Sequence, residues 1–105
     1  MEYNYPIDIN TLFTTTVESH ASDLHLIPGT PPYIRVNGKL ERLDMPIMTP
    51  EVLKSLIYSI LTEEQKSTLE KELELDFAYS ISGISRFRGN ILYQRGTLGA
   101  AFRVV

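Results

Sequence analysis

The chain has 105 residues, 43% of them hydrophobic and 22% charged, which is the length and balance of one globular domain. It contains no cysteine, which excludes disulfide scaffolds, thiolate metal sites and cysteine nucleophiles. The net charge is −3, which does not favour a nucleic-acid partner. No apolar run approaches the ~20 residues of a membrane span. The start, Met1-Glu2-Tyr3-Asn4-Tyr5-Pro6, lacks the basic and apolar regions of a signal peptide, so a cytoplasmic protein is expected.

Charge is unevenly distributed along the chain. Thr62 to Asp76 holds six acids (Glu63, Glu64, Glu70, Glu72, Glu74, Asp76) against Lys66 and Lys71. Ser85 to Val105 holds Arg86, Arg88, Arg95 and Arg103 and no acid. A local arginine surplus in an acidic domain points to an anion site or to an acidic partner surface.

Ile7 to Ser19 reads as a first helix, because Ile9, Leu12, Phe13 and Val17 recur at helical spacing. The run Thr14-Thr15-Thr16 weakens it, since β-branched residues lose rotamer freedom in a helix. Ser22 to Ile27 alternates and reads as a strand, with Leu24 and Leu26 on one face and Asp23 and His25 on the other. Pro28 to Pro32 is a loop. Tyr33 to Val36 and Lys39 to Leu43 are two strands joined at Asn37-Gly38, a hairpin dipeptide whose residues accept positive φ.

Thr49-Pro50-Glu51 supplies an N-cap, a first-turn proline and an acid near the positive end of a helix dipole. Val52, Leu53, Leu56, Ile57, Ile60 and Leu61 follow as one apolar stripe. Thr62 with Gln65 fits a capping box that opens a third helix running to about Leu73. Only Leu69 and Leu73 offer that helix anything to bury, so it is expected on the outside.

The last third reads as three strands. Phe77, Tyr79 and Ile81 alternate with small residues before Gly83 turns the chain. Phe87, Gly89, Ile91 and Tyr93 share one face of the next strand, and Leu98, Ala100, Phe102 and Val104 one face of the last. Helix, three strands, two helices and three strands make an α+β plan with a mostly antiparallel sheet.

A hairpin centred on Arg95-Gly96 sets the register of the last two strands. Tyr93 faces Leu98 and Ile91 faces Ala100 on the apolar side, which agrees with the pattern. The same register sets Arg88 opposite Arg103 on the other face. Like charges directly opposed across an antiparallel pair cost a few tenths to ~1 kcal/mol. Two guanidiniums so held become favourable when they share an anion, and phosphate matches the planar arginine fork. The alternative is that both splay into water or pair with the acidic helix.

Other constellations carry less chemistry. His20, Asp23 and His25 lie close in sequence, but no third strong ligand is suitably spaced, so a structural role is expected rather than a metal. His25 faces away from Leu24 and Leu26 and is a candidate for contact with another domain. No Ser-His-Asp set is recognisable. Gly96-Thr97-Leu98-Gly99 is not a phosphate loop, because no Gly-Lys-Ser/Thr follows and no helix opens there.

Taken together, several of these pieces carry a resemblance. They are Ala21-Ser22-Asp23-Leu24-His25-Leu26; Gly29, Pro31, Pro32, Ile34-Arg35-Val36 and Gly38; Asp76-Phe77; Arg86-Phe87-Arg88 and Asn90; and Ala101-Phe102-Arg103. In order and spacing the chain from Ala21 onward resembles the N-terminal domain of the type IV pilus retraction (twitching motility, PilT-type) ATPases of the secretion ATPase superfamily.

That resemblance implies a single PAS-like domain over residues 1–105, an antiparallel sheet flanked by helices. It also implies a parent with a RecA-like ATPase core, absent from this chain, that uses ATP and Mg2+, whereas no cofactor is expected for the isolated domain. The parent assembles as a homohexamer and works with the pilus machinery at the inner membrane from the cytoplasmic side. Its N-terminal domain meets the core of its own chain and packs on that of the neighbouring subunit. Arginines of the domain reach the nucleotide phosphates, and motif for motif these are Arg88 and Arg103. Asp23, His25 and Arg86 are candidates for interdomain contact, and Arg95, in the turn, has no assigned role. The chain departs from the family at Gly89, where retraction motors commonly carry valine or a similar residue. The contrasting expectation is a stand-alone PAS-like module for a small ligand or partner protein, which needs an enclosed apolar cavity.

Overall fold

The computed structural model describes residues 4–105, so Met1, Glu2 and Tyr3 of the start read above lie outside the described residues. Three helices and six strands follow in the expected order. They are α1 (Ile9–Glu18), β1 (Asp23–Leu26), β2 (Tyr33–Val36), β3 (Lys39–Arg42), α2 (Pro50–Tyr58), α3 (Glu63–Glu72), β4 (Glu74–Ile81), β5 (Ser85–Gln94) and β6 (Thr97–Val104).

Local chemistry explains each helix end. The Asp8 carboxylate caps α1 by accepting the Thr11 backbone N–H and its hydroxyl, both at 2.8 Å. The threonine run is tolerated because Thr14 and Thr16 donate to the carbonyls of Asn10 and Leu12, at 2.9 and 2.8 Å. Thr49 caps α2, accepting from the Val52 N–H at 3.2 Å. The α3 capping box forms in both directions, with Thr62 accepting from the Gln65 N–H at 3.1 Å and Gln65 accepting from the Thr62 N–H at 3.0 Å. One detail of α3 differs from expectation. Leu69 is fully buried, but Leu73 is the left-handed C-cap (φ 65°) and its side chain is exposed. The reversal that ends the helix turns this leucine away from the core.

The strands form one antiparallel sheet in the order β3-β2-β1-β6-β5-β4. It consists of two three-stranded meanders joined where β1 pairs β6. The Asn37-Gly38 and Arg95-Gly96 turns both take positive φ at both residues, the two-residue loop that matches strand twist.

All three helices lie on one face of the sheet. Leu24, Leu26, Ile34, Phe87, Ile91, Leu98 and Phe102 from the strands are buried against Ile9, Leu12 and Phe13 of α1, Val52, Leu53, Leu56 and Ile57 of α2, and Leu69 of α3. Phe13 stands at the centre, stacked on Phe87 at 4.5 Å between ring centroids and edge-on to Phe102 at 4.8 Å. In this α+β sheet with helices on one side, no helix among the described residues covers the opposite face. The functional candidates sit there.

Candidate functional site

Strand pairing sets the open face in rows. Arg88 of β5 lies opposite Arg103 of β6, as the hairpin register requires. Arg103 lies opposite Asp23 of β1, and Asp23 opposite Arg35 of β2. The next row runs Asp76 of β4, Asn90 of β5, Ala101 of β6, His25 of β1 and Tyr33 of β2. Because side chains alternate across a strand, all of these project from the face opposite the core.

The two arginines are not left to repel each other. Arg88 Nη2 donates to Asp76 Oδ2 at 2.9 Å. Arg103 Nε lies 3.4 Å from Asp23 Oδ1, and Arg35 Nε lies 3.3 Å from Asp23 Oδ2. The alternative to a shared anion was that the arginines splay into water or pair with the acidic helix. The carboxylates come instead from the adjacent strands β1 and β4, which sit within one strand spacing of the guanidiniums. The Asp76 carboxylate, first by hydrogen bond and then by charge, holds the Arg88 pKa above its ordinary value.

Four of the five candidates meet in one place. Asp23, His25, Arg88 and Arg103 line a shallow, open depression of about 340 Å³, with Asp76, Asn90 and Ala101. Arg86, exposed two residues along β5, joins Arg88 and Asp76 in an adjoining depression of about 360 Å³. Arg86, Arg88, Arg103 and Arg35 against Asp23 and Asp76 leave this part of the face with a surplus of two positive charges. Arg88 and Arg103 keep about three-quarters of their side-chain surface in solvent, 71% and 76%. Such an arrangement can bind an anion from outside.

Arg95 lies apart, in the β5–β6 turn, beside a separate depression lined by Ile27, Leu92 and Gly99. His20 takes positive φ in the turn after α1. The His25 Nε2 atom is buried and has no hydrogen-bond partner among the described residues. Also among the described residues, no three His, Cys, Asp or Glu side chains converge to hold a metal ion. Asp23 spends its oxygens on Ser22, Arg35 and Arg103.

Sequence reasoning missed two members of the cluster as site residues, Arg35 and Asp76. Asp76 was within reach, because a hairpin turning at Gly83 sets it one diagonal step from Arg88. Arg35 was not, since the β1–β2 connection contains three prolines and fixes no register by itself.

No family model matches the chain. The type IV pilus retraction ATPase PilT of Pseudomonas aeruginosa is 38% identical over 99 residues, covering 94% of this chain and 29% of that protein. The type IV pilus ATPase PilU of the same organism is 31% identical, covering 92% of this chain and 25% of that protein. The crystal structure of the pilus retraction motor PilT with bound ADP superposes with a TM-score of 0.85 at 39% identity, over 92% of this chain and 29% of the other. The chain thus spans less than a third of the length of the curated relatives it matches.

Proposed function

The chain is homologous to the N-terminal domain of the type IV pilus retraction ATPases, and we propose that it serves as that domain in a hexameric, ATP-driven motor of pilus retraction. Residues 1–105 are then one PAS-like unit whose open sheet face packs on the ATPase core of a neighbouring subunit. There Arg88 and Arg103 contact the phosphates of the nucleotide held by that core. The observation that carries this reading is the side-by-side placement of Arg88 and Arg103, solvent-exposed on the face that no helix among the described residues covers.

The role of these residues is electrostatic. Pre-set guanidiniums stabilise phosphate charge without reorganising at the moment it develops, and they strengthen as the closing interface excludes water. Closure of the domain onto the core is thereby coupled to nucleotide occupancy. The chain has no phosphate loop of its own, and its described residues offer no metal cluster, so ATP and Mg2+ belong to the core in this reading. Asp23, His25 and Arg86 border the arginines and take up interdomain contact. The motor acts in the cytoplasm against the pilus machinery at the inner membrane. Among the described residues no helix is long and apolar enough to cross a membrane.

A stand-alone ligand-binding module is less well supported. The space beneath the sheet that it would need is occupied by Phe13 between Phe87 and Phe102.

The test uses the motor chain that carries this domain. Arg88→Ala and Arg103→Ala should each lower ATP turnover by about 10²-fold, the usual cost of one transition-state charge donor, while hexamers persist by native mass spectrometry. Wild-type turnover in both variants would defeat the assignment.

A further inference from the structure

Arg88 and Arg103 are alike in exposure, but the aspartates that hold them are not. The Asp23 side chain is only 13% exposed. One of its oxygens accepts the Ser22 hydroxyl at 2.8 Å and faces Arg35 Nε at 3.3 Å, while the other faces Arg103 Nε at 3.4 Å. Arg35 is itself tied down, since its Nη1 donates to the Gly38 carbonyl at 3.1 Å. Asp23 is therefore braced between two strands and a hairpin turn, and moving it would unpair a second guanidinium. Asp76 is 54% exposed, and its carboxylate has one partner among the described residues, Arg88. Losing one solvent-exposed ion pair of this kind costs little.

The contacting atoms differ as well. Asp23 takes Arg103 through Nε, which leaves both terminal nitrogens of Arg103 without a partner among the described residues. Asp76 takes Arg88 through Nη2, a terminal nitrogen that a phosphate fork would use.

We propose that the two aspartates act on this site in opposite senses: Asp23 is a positioning residue that holds Arg103 in line with Arg88, and Asp76 is a resident counter-ion that an incoming phosphate chain displaces from Arg88. The proposal rests on the reading of the arginine pair as a phosphate contact and adds what sets its affinity. It separates cleanly from simple charge screening. Removing any negative charge about 4 Å from a bound anion in water tightens binding about five-fold. Screening alone therefore makes Asp23→Asn and Asp76→Asn both tighten.

The experiment titrates the ¹⁵N-labelled 105-residue chain with inorganic triphosphate at low salt, following the guanidinium Nε–Hε signals of Arg88 and Arg103. In the unsubstituted chain both signals should move along one saturating curve. Asp76→Asn should lower the midpoint about five-fold, and Asp23→Asn should raise it. Arg35→Lys keeps every charge but gives up the Nε contact to Asp23, and it too should raise the midpoint. It carries the same test if Asp23→Asn does not fold, which the dispersion of the backbone amide spectrum reports. Equal tightening by both aspartate variants, or an unchanged midpoint in Arg35→Lys, overturns the inference and leaves the arginine reading standing. Triphosphate that moves neither arginine signal, in the unsubstituted chain or in Asp76→Asn, overturns the inference, and the arginine reading is judged separately by turnover of Arg88→Ala and Arg103→Ala in the motor chain.

Discussion

Replacing Gly89 by alanine tests how the core side of the site strands is packed. Gly89 sits in β5 on the helix-covered face, directly opposite Phe77 of β4 and Phe102 of β6. A Cβ added there would lie 2.7 Å from Cε1 of both rings and 2.9 Å from Cδ1 of Phe102. Carbon–carbon contacts settle at about 3.5–4.0 Å, so the Cβ overlaps each ring by close to 1 Å and both rings must give way. Phe102 is 1% exposed and held edge-on by Phe13 at 4.8 Å, whereas Phe77 is only partly buried. Phe77 is the freer of the two to yield. Overpacking of this kind costs about 1–3 kcal/mol, and the lower unfolded-state entropy of alanine returns about 0.4–1 kcal/mol. The expected net loss is about 1 kcal/mol for Gly89→Ala, or about 4–8 °C in Tm, and more for Gly89→Val. Urea unfolding of a double-mutant cycle with Phe77→Leu provides the check. The smaller side chain should relieve the Phe77 share of the overlap, so the double variant should be more stable than the two single losses added together. A Gly89→Ala variant as stable as the parent, or strict additivity with Phe77→Leu, would refute the reasoning.

Three other outcomes follow from the same contacts. The Asp8 pKa lies below its ordinary value, first because of the Thr11 backbone hydrogen bond and then the Thr11 hydroxyl. Its contribution is therefore present above about pH 4 and lost as acid titrates the folded carboxylate; Asp8→Ala should cost about 1 kcal/mol at pH 7 and progressively less as the pH falls through the folded value in chemical denaturation. Burial, then hydrogen bonds to Tyr93 at 3.0 Å and Glu70 at 2.7 Å, push the Tyr58 pKa upward. Its stabilisation is full below the unfolded phenol value of about 10 and fades above it, so Tyr58→Phe should lose about 1 kcal/mol at pH 7 and flatten the alkaline limb of the stability curve. Phe13→Ala, which empties the centre of the aromatic cluster, should cost about 3–5 kcal/mol in the same denaturation assay.

Local signals carried most of the architecture. The Thr49-Pro50 and Thr62/Gln65 starts, the Asn37-Gly38 and Arg95-Gly96 turns and the alternation of β5 and β6 each act over a few residues, and each is realised in the fold. The Arg88–Arg103 pairing was legible for the same reason, since a two-residue turn fixes the register of its own strands. What surrounds that pair was not. Asp23 reaches Arg103 from 80 residues away through the β1–β6 junction, and no periodicity in one strand tells which strand it will lie beside. The acidic helix had the larger charge and so stood, beside open water, as the alternative to a shared anion, yet the carboxylates that meet the arginines are those one strand away. Leu73 shows the same limit on a smaller scale. Its hydrophobicity suggested burial, but its place at a left-handed helix end turned it outward.

On the function proposed above, this domain works inside a larger ATP-driven motor. The most direct measurement is the mass of the native polypeptide in its source cell, detected with an antibody raised against the folded domain. The curated relatives are more than three times as long as the part that matches, so a band several-fold heavier than 12.0 kDa is expected. A single band at 12.0 kDa would contradict the claim and leave the arginine face to serve a different partner.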